Sequence, residues 1–254
     1  MKKIGLLIVM VFSMAALHAQ EVMSPELLWK LGRVSPVGIS IDGTNLIYKV
    51  SYPSVADNKS TSKTFMMPIE GGKATEIKDT KNVIADRNVS PDGKYIMYSE
   101  EVKLQAVHGK DFYPELDKSN AQVYNGLDYR HWDTWNEGKY NHVFYKSTAA
   151  GAQTGIDILK DERYDSPQKP FGGDEDFIWS PDGKSIIYVC KKKEGTAYAV
   201  STNTNLYQYD LATGATVNLT ESNLGYDTNP SFSPQGNLSW LQMKRDGYEA
   251  DKND

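Results

Sequence analysis

The residues best suited to chemistry in this 254-residue sequence stand close together near its middle. Arg130, His131, Trp132, Asp133 and Trp135 form one run, with Tyr124 and Tyr129 before it and Tyr140 after it. Such a set suits the recognition of a peptide. Trp and Tyr offer rigid apolar faces, Asp133 is able to accept charge-assisted hydrogen bonds from a terminal ammonium, and Arg130 is able to hold a carbonyl or a carboxylate. The same residues also suit a structural role, in which Trp132 and Trp135 pack the segment onto the scaffold while Arg130 and Asp133 pair with each other. Arg130, Trp132, Asp133 and Trp135 are therefore the candidate substrate-binding residues, with both roles open.

Other reactive residues carry less. Asp174, Glu175 and Asp176 form a second acidic candidate just ahead of an apolar run and read as a solvated loop, and Lys191-Lys192-Lys193-Glu194 reads as a polar hairpin end. The histidines are His18, His108, His131 and His142, and no Cys, Asp or Glu stands around them at zinc-ligand spacing, so no metal site is assigned. His131 and Asp133 with a serine would make a triad on paper. No Gly-x-Ser-x-Gly elbow occurs in the sequence to support one, so no catalytic residue is assigned, and no motif calls for a cofactor.

The elements that must position the central run come from the rest of the chain. A net charge of -5, with 28 Lys and Arg spread along the sequence, gives no basic stripe for phosphate and argues against nucleic acid as a partner. At the N-terminus, Lys2 and Lys3 precede an apolar stretch from Ile4 to Leu17. Spanning a bilayer takes roughly 20 apolar residues, whereas a secretory core takes about 7 to 15. Residues 1–19 read as a signal peptide cleaved after Ala19, with an uncleaved anchor as the alternative because Leu17 occupies the −3 position; after cleavage the chain is expected in the periplasm or outside the cell, off the membrane. Cys190 is the single cysteine, so no internal disulfide forms; its neighbours Ile187, Tyr188 and Val189 place it in a buried strand.

One phrase recurs four times: Ser40-Ile41-Asp42-Gly43, Ser90-Pro91-Asp92-Gly93, Ser180-Pro181-Asp182-Gly183 and Ser233-Pro234-Gln235-Gly236. It is a turn with a mechanism, since Pro presets φ, Asp bonds nearby backbone and Gly accepts positive φ. A β-prone run follows each time, such as Tyr95-Ile96-Met97-Tyr98 or Ile186-Ile187-Tyr188-Val189, and a shorter one precedes it, such as Phe177-Ile178-Trp179. Third and fourth strands complete the unit, seen best in Asn205 to Tyr209 and Val217 to Thr220. Four antiparallel strands per repeat make the blade of a β-propeller, so the fold class is all-β.

Spacing tests this reading. Gly43 to Gly93 is 50 residues and Gly183 to Gly236 is 53, but Gly93 to Gly183 is 90. The third strand starts 22 residues after the turn glycine in the first repeat and 23 in the third, but 50 in the second, so one blade carries about 27 extra residues at roughly 101–140. That insertion holds the central aromatic run, as excursions from a repeat scaffold commonly hold function. Residues 20–254 thus form three blades and half of a fourth, an incomplete ring. Because propellers close with about 4 to 8 blades, the sequence is expected to be truncated, and its open edges are expected to make it aggregation-prone or a homo-oligomer.

With its Ser-Pro-Asp-Gly repeats, the segment Arg130-His131-Trp132-Asp133-Thr134-Trp135 and the stretch from Gly172 to Gly183, the mature chain resembles the N-terminal propeller of the prolyl-oligopeptidase family of serine peptidases, in the branch of dipeptidyl-peptidase 5 and acylaminoacyl-peptidase. The turn phrase alone is shared with TolB-like propellers; the Arg-His-Trp-Asp-Thr-Trp segment is the more specific. The resemblance implies a propeller that gates peptide substrates and partners a C-terminal α/β-hydrolase domain carrying the catalytic Ser, Asp and His. None of that machinery is present here, so the chain alone is expected to be inactive. The paired-Glu pattern of the dipeptidyl-peptidase 4 branch is not matched. The alternative is a non-enzymatic, TolB-like periplasmic propeller that binds a protein or glycan partner.

Overall fold

The computed structural model describes residues 23–129, 133–151 and 154–254, which fall into two compact units divided after Ala85. The expected signal peptide lies outside the described residues. In the first unit, a short helix α1 (Pro25–Lys30) is started by Ser24, whose Oγ accepts from the Leu27 amide at 3.2 Å, with Pro25 at the first helical position. A four-stranded antiparallel sheet follows, in the order β1 (Arg33–Ile39), β2 (Asn45–Ser54), β3 (Lys59–Pro68) and β4 (Thr75–Ile77). Ile47 on β2 is fully buried, and Tyr48 stacks on its cross-strand partner Phe65 at 5.5 Å.

The second unit carries three more antiparallel sheets. The first is β5 (Tyr95–Lys103), β6 (Lys139–Ser147) and β7 (Ile156–Asp157), with a single bridge, Val89 to Ile96, where an innermost strand would lie. Then come β8 (Phe177–Trp179), β9 (Ser185–Cys190), β10 (Asn205–Asp210) and β11 (Thr216–Asn218), and finally the hairpin β12 (Asp227–Phe232) and β13 (Leu238–Gln242). These repeated sheets are propeller blades, about three and a half among the described residues, and the fold is all-β.

The recurring phrase folds as its chemistry dictates. At Ser40, Ser90 and Ser180 the hydroxyl donates to the Asp two residues on at 2.5 to 2.7 Å and accepts the amide five residues on at 2.9 Å. The same Asp oxygen accepts the amide of the residue after the glycine, at 3.0 to 3.1 Å. The three glycines sit at φ +73, +72 and +68, a region where a Cβ is strained. In the fourth copy Gln235 replaces Asp, and the Ser233 hydroxyl alone accepts the Gln235 and Asn237 amides at 3.2 Å.

The core of the second unit lies between β5–β6 and β8–β10. Met97, Val143, Phe177, Trp179, Ile186, Tyr188 and Tyr209 meet there, and β9 is buried along its whole length, Cys190 included. A strand covered on both faces needs a continuous apolar run, and Ile186 to Cys190 supplies all of it but the Tyr188 hydroxyl. Trp179 ties the two blades together by donating its indole N–H to the Asn88 carbonyl at 2.8 Å. Lys191 to Glu194 begin the connection of the β9–β10 hairpin, as a polar hairpin end should, and lead into a short helix α2 (Gly195–Val200) within it. Lys192 is drawn inward there, over the Tyr207 ring at 4.5 Å and onto the Glu162 carboxylate at 2.5 Å.

Candidate functional site

β5 and β6 pair in unbroken register from Tyr95 with Ser147 to Lys103 with Lys139, and residues 104–138 leave and re-enter the sheet between them. The base is closed by the Leu104 and Gln105 amides, which both donate to the Gly138 carbonyl at 2.9 and 3.1 Å. Further out the excursion makes its own structure: a one-turn helix (Gly109–Phe112), a 3-10 turn (Pro114–Leu116), and backbone bonds from Gly109 to Ala121 and from Val123 to Val107. Asp111 organises the helix start. Its carboxylate pairs with Lys103 and accepts the Val107 and His108 amides at 3.0 and 2.9 Å; the lysine first, then the Val107 amide, pull its pKa down to about 2.

The returning limb of this excursion overhangs a cleft of about 890 Å³ in the second unit. Its aromatic wall is made by Tyr124 and Trp135, stacked at 5.6 Å, with the Tyr124 hydroxyl donating to the Asn136 carbonyl at 2.9 Å. Tyr140 on β6 donates to Gln105 at 2.5 Å beneath them. The opposite wall comes from Arg163 to Lys169 and from Lys191 to Tyr198. Lys169 joins the two sides: its ammonium lies 3.3 Å from both Glu101 and Asp165 and donates to the Lys139 carbonyl at 3.1 Å. Burial raises the Asp165 carboxyl above its ordinary value, more than the Lys169 charge and the Asn141 amide lower it. Burial likewise lowers Lys191, whose ammonium lies 4.7 Å over the Tyr198 ring, and pushes the Tyr198 hydroxyl up to about 12.

Of the four residues singled out from the sequence, Arg130 and Trp132 lie outside the described residues. Asp133 is exposed on the same limb. Trp135 lines the cleft, with 51% of its surface exposed and its ring stacked on Tyr124. Glu101, Asp165, Lys169 and Tyr198 were not singled out in advance, because they reach the cleft from segments far apart in sequence.

His18 and His131 lie outside the described residues, and the other two histidines have structural settings. His108 precedes the one-turn helix, and His142 on β6 is fully buried, with Nδ1 2.8 Å from Asp157 Oδ2 and Nε2 2.9 Å from the Glu162 carbonyl. Both ring nitrogens are thus occupied, leaving none to activate a nucleophile. Among the described residues no group of three or more His, Cys, Asp and Glu is placed to hold a metal ion, and no helix is long and apolar enough to cross a membrane. Asp176 departs from the solvated loop expected of it: in a 3-10 turn (Asp174–Asp176) ahead of β8 it is only 1% exposed.

No family model matches the chain. Dipeptidyl-peptidase 5 of Porphyromonas gingivalis is 36% identical to it across 93% of this chain and 41% of the relative. The dipeptidyl-peptidase 5 of Porphyromonas endodontalis is 35% identical across 91% and 40%. This chain belongs to the dipeptidyl-peptidase 5 family. It spans about two fifths of the length of these curated relatives, so the family likeness extends over almost all of this chain but under half of theirs. Among solved structures, TolB of Acinetobacter baumannii aligns with 84% of the chain and 38% of its own, at a TM-score of 0.35 and 14% identity.

Proposed function

We propose that residues 1–19 direct export and that residues 20–254 are the propeller portion of a longer serine dipeptidyl peptidase. In this reading the 104–138 excursion is the insertion of the second blade, and the cleft beneath it receives peptide substrates and passes them to an α/β-hydrolase domain that supplies the Ser, Asp and His. The observation that carries the reading is the cleft itself, with the half-exposed Trp135 in its lining and the charges of Glu101, Lys169 and Asp165 linked across it. A peptide offers what such walls complement: apolar side chains for the rings, and amides and termini for the charges. Arg130, Trp132, Asp133 and Trp135 are the residues proposed to contact it. The dipeptidyl-peptidase 5 name of the relatives supplies the substrate class.

The test is binding of a fluorescein-labelled tetrapeptide, Gly-Phe-Ala-Ala, to the 254-residue chain, read by anisotropy. Trp135→Ala is expected to weaken it by about tenfold, the effect of removing one aromatic anchor, and Asp133→Ala by several-fold. Unchanged affinity in both variants contradicts the reading.

A further inference from the structure

The buried carboxyl of Asp176 has no place in the peptide contacts just described, yet it holds the segment that carries Lys169 into the cleft. Its Oδ2 accepts the Gln168 amide at 3.0 Å, and the Gln168 carbonyl in turn accepts the Gly172 amide at 2.7 Å. The turn between them closes directly over the carboxyl. A Cβ on Gly172 would lie 2.1 Å from Asp176 Oδ2 and 2.5 Å from the Gln168 backbone, so only glycine fits there. On its other side Gln168 donates its side-chain amide to the Tyr226 hydroxyl at 2.6 Å, just ahead of β12. The residue after Gln168 is Lys169, whose ammonium bridges Glu101 and Asp165.

The geometry points to Asp176 as a proton-operated positioning residue: protonated, it keeps residues 168–172 closed and Lys169 in its bridge across the cleft, and ionised, it releases that segment. The chemistry of its surroundings gives the direction. Around the carboxyl stand Glu175 on its own turn, the Tyr226 hydroxyl beside β12 and the Cys190 thiol at the end of β9, none of which supplies positive charge. Arg87 reaches the neighbouring Phe177 carbonyl at 3.4 Å, and among the described residues no ion pair to Asp176 forms. A carboxylate there has one amide donor and no counter-charge, so ionisation favours any opening that admits water. Burial first, with Glu175 adding to it against the Gln168 amide, pushes the carboxyl up to about 7. The consequence for substrate rests on the reading of the cleft as the peptide site; the lock does not.

Hydrogen exchange followed by mass spectrometry on the 254-residue chain tests the lock without any ligand. Corrected for the intrinsic pH dependence of exchange, protection of the 168–172 amides is expected to fall about tenfold between pH 6 and pH 8, while the 186–190 amides stay constant. In Asp176→Asn, which keeps an acceptor but cannot ionise, the fall disappears. Gly172→Ala, which intrudes on the carboxyl, loses protection there at every pH. Wild-type protection that ignores pH, or an equal fall in Asp176→Asn, overturns the proposal. Anisotropy with the same labelled tetrapeptide reads the coupling: affinity is expected to drop several-fold from pH 6 to pH 8 in wild type and not in Asp176→Asn. Binding that ignores pH while exchange responds overturns the coupling. Absence of binding at every pH, with the exchange step intact, overturns the peptide reading and leaves the lock standing.

Discussion

Asp176 makes the energetics of a single buried group explicit. Its carboxyl ionises at about 7 in the fold and at 3.8 when unperturbed, so the folded chain holds a proton that the unfolded chain has released. The stability this contributes is complete below pH 3.8 and declines with rising pH through the window up to about 7, by about 1.4 kcal/mol per pH unit at most. Above that window both states are ionised and the difference is constant. Asp176→Asn has no such decline. Denaturant unfolding should therefore show the variant gaining on wild type between pH 4 and pH 7 and holding its lead above; a gap independent of pH would exclude this burial effect. Little of this was visible beforehand. Three consecutive acidic residues read as solvent-facing, and nothing local tells that the chain turns the third one inward under Gly172. Cys190, by contrast, was legible as a buried residue because its β-branched and aromatic neighbours fix its strand.

Elements follow the sequence most faithfully where their determinants are local. The Ser-Pro-Asp-Gly turns could be read because the hydroxyl, carboxylate and glycine that build each one lie within five residues. Pairing of β5 with β6 across the long excursion followed from spacing alone. The cleft did not, since Glu101, Lys169 and Tyr198 converge on it from three segments, and sequence separation hides such meetings. The excursion keeps its shape through short-range bonds of its own, above all those of Asp111 to Lys103, Val107 and His108. Asp111→Ala removes the acceptor of two amides, so amide exchange across 107–123 should quicken by about tenfold, while the β9 core stays protected. Equal quickening in β9 would mean that the excursion and the blade unfold together.

Among the described residues β1 is the edge strand of its sheet, and Val34, Val37 and Ile39 on it are exposed, Val34 by 69%. Such an edge templates association with another chain. Sedimentation of the 254-residue chain should show concentration-dependent self-association, reduced in Val34→Lys; a monodisperse wild type would rule out this edge as a sticky one. The excursion and the blade strands together line the cleft, and the proposed function requires that a peptide occupy it. The most direct measurement of that occupancy is photo-crosslinking with a Gly-Phe-Ala-Ala peptide whose phenylalanine is replaced by benzoylphenylalanine, the adducts being mapped by mass spectrometry. Peptide occupancy predicts saturable labelling confined to the cleft lining, residues 101–107, 122–140, 163–170 and 191–198, competed by the unmodified tetrapeptide. Labelling elsewhere, or labelling that does not saturate, would contradict it.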